Sequence, residues 1–139
     1  YMWNEVYQLA LSKAVKNTFP NCLIIFGGPQ VPDDSTKYLK ENSHIDVCIR
    51  GEGEEPFRQI LLGKNLKEIK GVFTRDSYLG KSARIENLDD IPSPYTNGIF
   101  DELMLSYKNI DWNVMLETNR GCPYKCTFCD WGSLTFNKI

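Results

Sequence analysis

The sequence predicts an α/β fold built on a parallel sheet, because strand-like runs alternate with helix-like segments along the first half of the chain. Residues 22–26 are a continuous apolar run, which is typical of a parallel strand covered on both faces. Residues 46–50 form a second run of strand length. A glycine turn follows each run, and helix-start signals follow each turn.

Three helices complete this alternation. The first is predicted over residues 1–17, where apolar side chains recur at three- and four-residue spacing. The second begins at the capping residues 33–35 and runs to about Asn42. The third begins near Pro56, a residue that fits the first turn of a helix, and runs to about Leu62.

The composition changes in the second half of the chain. Residues 71–75 and 83–86 are predicted as two further strands, which would form a hairpin. Two prolines then bar both a helix and a central strand, so residues 87–112 are predicted to be an interdomain linker with a short helical piece around 99–106. Residues 113–118 are predicted as a last strand, directly before a cysteine-rich loop.

Composition and charge exclude several classes of protein. Sixteen Lys and Arg against eighteen Asp and Glu give a formal net charge of −2, so the chain lacks the basic face that general nucleic-acid binding needs. The apolar share of 42% is ordinary for a globular protein and excludes a disordered chain. No apolar run approaches the roughly 18 residues of a membrane span, and no secretory signal is visible. We therefore expect no membrane association and no general nucleic-acid partner.

Three of the five cysteines crowd into one loop. Cys122, Cys126 and Cys129 follow the pattern C-x3-C-x2-C, whereas Cys22 and Cys48 lie in strand-like runs and are interpreted as core residues. Without a secretion signal, such crowding predicts a metal or cluster site in a reducing cytoplasm and not a disulfide framework.

Three thiolates from one loop suit an iron–sulfur cluster better than zinc. A structural zinc ion needs four closed ligands, whereas a 4Fe-4S cluster held by three cysteines keeps one iron open to another molecule. Zinc stays an alternative if a fourth ligand comes from elsewhere. His44 is the only histidine in the sequence.

Two glycine loops follow the predicted strands. Gly27, Gly28 and Pro29 follow the first strand, and Gly51, Glu52 and Gly53 follow the second. In a parallel sheet both loops lie at the carboxyl edge, where ligands bind. Glycine permits close approach of a ligand to the backbone, while carboxylates in the second loop argue against a phosphate cradle. Each loop taken alone is more simply a tight turn.

The cysteine loop resembles the signature of radical SAM enzymes. The resemblance rests on Cys122, Cys126 and Cys129, with the aromatic Phe128 just before the last cysteine. It implies a 4Fe-4S cluster on the three thiolates, S-adenosylmethionine on the open iron, and reductive cleavage of that cofactor to a deoxyadenosyl radical. It also implies that Phe128 lies near the adenine, and that the loop follows the first strand of a TIM-like barrel.

The order of all these motifs resembles cobalamin-binding radical SAM proteins over nearly the whole chain. The resemblance implies a Rossmann-like domain with cobalamin near Gly27, Gly28 and Pro29, and with Gly51, Glu52 and Gly53 lining the same edge. The upstream element that carries an axial histidine in some such domains is absent from the sequence. His44 precedes the second strand, roughly 15–20 Å from the glycine loops, so a surface or packing role is expected for it.

The resemblance predicts that the parent protein is a cobalamin-dependent radical SAM methyltransferase. Residues 1–86 would be part of its cobalamin domain, 87–112 a linker, and 113–139 the start of the radical SAM domain. A cyclase or rearrangement enzyme and a non-catalytic cobalamin- or zinc-binding module are the alternatives. A small-molecule or peptide substrate and an external electron donor are the expected partners. The 139 residues alone should not turn over, since a TIM-like barrel needs about 200.

Overall fold

The computed structural model describes residues 3–117, 120, 121, 124 and 126–128. The chain divides into two compact units, Tyr1–Ile85 and Glu86–Ile139.

The first unit is a small α/β domain, which confirms the predicted fold class at this level. Its helices and strands follow the predicted alternation: α1 (Glu5–Thr18), β1 (Ile25–Phe26), α2 (Ser35–Glu41), β2 (Val47–Ile49), α3 (Glu54–Leu61) and β3 (Val72–Phe73). The side chain of Asp34 caps α2 by accepting a hydrogen bond from the amide of Thr36, and this bond lowers the pKa of the Asp34 carboxyl. A 3-10 turn at Leu66–Glu68 precedes β3.

The three strands form a mixed sheet in the order β1-β2-β3. β1 runs parallel to β2, with Ile25 opposite Val47, but β3 runs antiparallel to β2, which corrects the prediction of a parallel sheet for this strand. The reason is the path after α3, which returns to the end of β2 and not to its start. There the Arg50 amide donates to the Gly71 carbonyl at 2.9 Å, so β3 begins beside the point where β2 ends.

The predicted strand over 83–86 is not formed. The chain does turn back after β3, where Phe73 pairs with Tyr78 and the two rings stack with centroids 3.6 Å apart. Beyond this single bridge the returning arm leaves the sheet, because residues 82–85 bond instead to the loop after β2.

The core of the first unit has two faces, one on each side of the sheet. One face consists of Ile24, Val31, Leu39, Ile45, Cys48 and Phe73, with α1 and α2 side chains packed against it. The other consists of Val47, Ile49, Ile69 and Val72, with Ile60 of α3 beside it. β2 is therefore buried on both sides, as its apolar sequence predicts. Cys48 lies in this core, whereas Cys22 precedes β1 and is exposed, which corrects the core position predicted for it.

The described part of the second unit contains little regular structure. A 3-10 turn at Leu88–Asp90 and α4 at Asp101–Ser106 are its helical pieces, and α4 lies within the predicted 99–106. Residues 113–117 are not a strand, which corrects the prediction for this part of 113–118. No strand among the described residues pairs with them. The Tyr95 hydroxyl lies 3.3 Å from both the nitrogen and the oxygen of Met115. None of the helices in the described residues is both long and apolar enough to cross a membrane.

Candidate functional site

The two glycine loops meet at one edge of the sheet. β1 ends at Phe26 and β2 at Ile49, and since these strands are parallel neighbours, the loops that follow them are also neighbours. A Cβ atom added at Gly27 would lie 3.8 Å from the Ile49 carbonyl oxygen, and one added at Gly53 would lie 3.7 Å from Cγ2 of Ile49. Both loops therefore contact the last residue of β2, as the parallel arrangement predicts.

The two loops differ in how much open space they leave. Gly28 has φ +93°, and none of the described residues has an atom within 4 Å of the position that a Cβ would take. Gly51 has a similar φ of +89°, but the Ser82 hydroxyl lies 3.6 Å from that position. Both conformations favour glycine. The β1 loop thus leaves room for a ligand at its glycine, whereas the corresponding space at Gly51 is bounded by protein.

An ion pair joins the two loops. The guanidinium of Arg50, directly after β2, lies 2.6 Å from the Asp33 carboxylate in the β1 loop, and its Nε donates to the same oxygen at 2.7 Å. The Arg50 side chain is 28% exposed and that of Asp33 is 85% exposed. Sequence analysis missed this pair, although opposite charges after two parallel neighbouring strands are a signal that could have found it.

Glu52 is held by its own chain. One of its carboxylate oxygens accepts a hydrogen bond from the Ile85 amide at 2.6 Å, and the other lies 3.7 Å from Nε of Arg84. Its backbone carbonyl accepts a bond from the Ser82 hydroxyl at 3.3 Å. The side chain of Glu52 is therefore 19% exposed and contacts Arg84 and Ile85, which lie 32 and 33 positions away and leave no local sequence signal.

The cysteine loop lies partly outside the described residues. Cys122 and Cys129 fall outside them, while Cys126 carries an exposed free thiol and Phe128 is 91% exposed. Just before the loop, Arg120 bonds to the Glu117 carboxylate at 2.8 Å. Within the described residues, no three His, Cys, Asp or Glu side chains converge as metal ligands. The donor set of three thiols still fits an iron–sulfur cluster by its chemistry.

His44 precedes β2, at the opposite end of that strand from the glycine loops. It bonds to the Leu9 backbone, and its Nε2 is buried without a hydrogen-bond partner among the described residues. Burial, followed by the nearby Lys13 ammonium, lowers the pKa of His44 and favours the neutral ring. A cavity of about 490 Å³ between α1 and the segment before β2 has His44 in its wall. These contacts are those of a packing residue.

The order of two glycine loops and a three-cysteine loop resembles cobalamin-dependent radical SAM proteins, and comparison with known proteins confirms the resemblance. The whole chain is 37% identical to part of the cobalamin-dependent radical SAM methyltransferase TokK of Streptomyces tokunonensis. It is 35% identical to part of the 2-(S-pantetheinyl)-carbapenam-3-carboxylate methyltransferase of Streptantibioticus cattleyicolor. The chain spans 22% of the length of each of these relatives.

A more distant relative has a different activity in its name. The anaerobic magnesium-protoporphyrin IX monomethyl ester cyclase of Synechocystis sp. is 25% identical over 86% of this chain, which covers 25% of the cyclase. No protein-family model matches the chain.

Proposed function

We propose that this chain is a segment of a cobalamin-dependent radical SAM methyltransferase. Residues 1–86 form part of its cobalamin-binding domain, 87–112 the linker, and 113–139 the start of its radical SAM domain. The observation that carries the proposal is the pair of glycine loops at one sheet edge, in a chain that is similar over its whole length to two methyltransferases. A small-molecule or peptide substrate and an external electron donor complete the reaction.

The β1 loop holds cobalamin in this proposal. Gly28 lets the backbone approach the cofactor because no described residue occupies the place of its side chain, and Gly27 and Pro29 fix the turn around it. Gly51 and Gly53 line the same edge of the sheet from the neighbouring loop. When bound, cobalamin supplies the methyl group; the protein supplies its orientation and excludes water.

The cysteine loop holds the two other cofactors, the 4Fe-4S cluster and S-adenosylmethionine. Cys122, Cys126 and Cys129 ligate the 4Fe-4S cluster and leave one iron for S-adenosylmethionine, while the exposed ring of Phe128 offers an apolar face to the adenine. When bound, the cluster would supply the electron for cleavage of the sulfonium. The exposed thiol of Cys126 is accessible to such a ligand.

A cyclase is the second candidate, because the Synechocystis relative bears that name. The two functions differ in their product. Transfer of a labelled methyl group to the substrate supports the methyltransferase, and ring closure without added carbon supports the cyclase.

The first half of the test is anaerobic reconstitution of the full-length parent with iron, sulfide and hydroxocobalamin. We expect a brown protein that cleaves S-adenosylmethionine, and a Cys126→Ser variant that binds little iron. Cys22→Ser is the matched control, since Cys22 is also exposed and lies outside the loop. A colourless protein with zinc on these thiols would overturn the enzyme proposal, because Zn²⁺ has a filled d shell.

The second half compares two glycines. Gly28 and Gly63 both have positive φ and open space at the Cβ position, so alanine should strain each backbone by about 1 kcal/mol. Only Gly28→Ala is expected to weaken hydroxocobalamin binding, by about fivefold for a displacement that costs about 1 kcal/mol. Equal affinities of the two variants would remove the β1 loop from the site.

A further inference from the structure

Residues 82–85, which form a strap, are held to the β2 loop through Glu52, whose backbone carbonyl accepts a bond from the Ser82 hydroxyl at 3.3 Å. The Glu52 carboxylate accepts from the Ile85 amide at 2.6 Å and pairs with Arg84 at 3.7 Å. The side chains of Glu52 and Arg84 are 19% and 23% exposed. Because both are largely buried, their attraction is screened less than that of an exposed surface pair.

The strap also packs against two glycines, Gly71 and Gly51. A Cβ added at Gly71 would lie only 3.0 Å from the Ser82 Cβ, and one at Gly51 would lie 3.6 Å from the Ser82 hydroxyl. The Gly71 amide donates to the Gly80 carbonyl at 2.7 Å, just before the strap begins. Glycines in both flanking segments thus make room for Ser82, and Glu52 holds the far end.

The strap ends where the first unit ends. The unit boundary falls after Ile85, the residue whose amide Glu52 binds. We infer that Glu52 is a positioning residue: its carboxylate fixes the strap along the end of β2 and so fixes the point at which the chain leaves the first unit. That point lies at the edge that carries the glycine loops.

This role differs from the cofactor contact predicted for Glu52. Both of its carboxylate oxygens already face partners in the strap, so a cofactor would have to compete with them. The contacts of Glu52 with the strap form a clamp. The consequence for catalysis rests on the proposed function, because the clamp sets where the linker begins relative to bound cobalamin. The clamp itself does not depend on any cofactor.

Trypsin tests the clamp directly, because it cleaves after Lys81 and Arg84, at and within the strap. In the full-length parent we expect Glu52→Ala to accelerate these two cleavages by about tenfold, since cleavage follows the population of the open strap. Glu52→Gln should give a smaller increase, because its amide oxygen still accepts from Ile85. Glu55→Ala is the control, since Glu55 bonds within α3 to Arg58.

Cleavage after Lys37 in α2 is the internal reference. If Glu52→Ala accelerated cleavage after Lys37 to the same degree, the variant would be generally unfolded and the positioning role would be overturned. Unchanged cleavage of the strap would also overturn that role. Hydroxocobalamin affinity separates the two roles of Glu52: we expect Glu52→Gln to stay within about threefold of the unmodified protein. A large loss of affinity without faster strap cleavage would make Glu52 a cofactor contact. If the unmodified parent bound no cobalamin, the proposed function would fail while the trypsin result still decided the clamp.

Discussion

The two units of this chain bury their apolar side chains to very different degrees. In the first unit Leu39, Ile45 and Val47 are fully buried, on the two faces of a sheet that helices cover. In the described part of the second unit no residue is fully buried, and Met115 and Leu116 are 88% and 72% exposed. Both units contain apolar residues, but among the described residues only those of the first unit form layers of structure that face each other.

The difference separates two ways of fixing a residue in place. Side chains of the first unit are fixed by packing, which acts between elements far apart in sequence. Described residues of the second unit are fixed by short-range bonds such as those of Asn87 with Asp89 and Ser106 with Glu102. Substitutions should therefore act strongly in the first unit and weakly in the second.

Thiol labelling gives the largest expected contrast. Burial raises the pKa of the Cys48 thiol to about 11, against a hydrogen bond with Ser35 that lowers it. At pH 8 such a thiol is about one part in a thousand thiolate, so iodoacetamide should alkylate Cys48 more than a hundredfold slower than the exposed Cys126. Mass spectrometry of cluster-free protein identifies the labelled peptides.

Cys22 is the control that separates the effect of burial from that of the unit, since it lies in the first unit, like Cys48, but is exposed. It should react like Cys126; rapid labelling of Cys48 as well would contradict the packed core.

The raised pKa of Cys48 also predicts how the stability of the fold depends on pH. The unfolded thiol titrates near 9.0 and the folded one near 11, so the unfolded state loses its proton first and the free energy of unfolding falls as the pH rises from about 9 to about 11.

Truncation of one leucine in each unit gives the next largest contrast. Leu39→Ala removes a fully buried side chain from the core face against α2 and should cost about 3 kcal/mol, counting the cavity it leaves. Leu105→Ala, at a residue that is 64% exposed in α4, should cost about 0.5 kcal/mol or less. Deuterium exchange of the peptide that contains β2 measures the first effect, and that of the α4 peptide the second. Equal costs would contradict the contrast between the units.

Sequence reasoning located the parts of the first unit that depend on local signals. The apolar run before Gly27, the capping residue Asp34 and the acidic start of α3 each act within a few residues, so they predict β1, α2 and α3 with small shifts in their ends. The edge on which the two glycine loops meet was predicted for the same reason, because two parallel strands require it.

Features that depend on distant contacts could not be predicted in this way. The strand-like composition of residues 71–75 indicates a strand but carries no information on its direction, which the path after α3 decides. Glu52 looked like a loop carboxylate because its partner Ile85 lies thirty-three positions away. Of the cysteine site, the ligand set follows from the local spacing of Cys122, Cys126 and Cys129, while its geometry stays a prediction.

Two carboxylates, one that bonds to distant residues and one that bonds to a near neighbour in sequence, give the smallest but most specific contrast. Asp46, 21% exposed, accepts bonds from the Ile24 amide at 2.8 Å and from the Lys16 ammonium at 2.7 Å, and so ties β1 and α1 to the start of β2. Asp46→Ala removes the acceptor of the Ile24 amide and leaves the Lys16 ammonium its bond to the Cys22 carbonyl. It should cost about 2 kcal/mol, with Asp46→Asn in between because its amide oxygen still accepts from Ile24. Glu117, 57% exposed, bonds only to Arg120 among the described residues, and Glu117→Ala should cost about 0.5 kcal/mol or less.

The salt dependence of these costs shows which kind of interaction is lost. The cost of Asp46→Ala should persist at about 1 M salt, where exposed pairs are screened within about 3 Å, because a hydrogen bond to a half-buried amide does not depend on bulk screening. The small cost of Glu117→Ala should vanish there. Exchange of the β1 amides measures the first variant. If salt abolished the effect of Asp46→Ala, its bond to Ile24 would contribute little, and the first unit would be held together at this corner by charge alone.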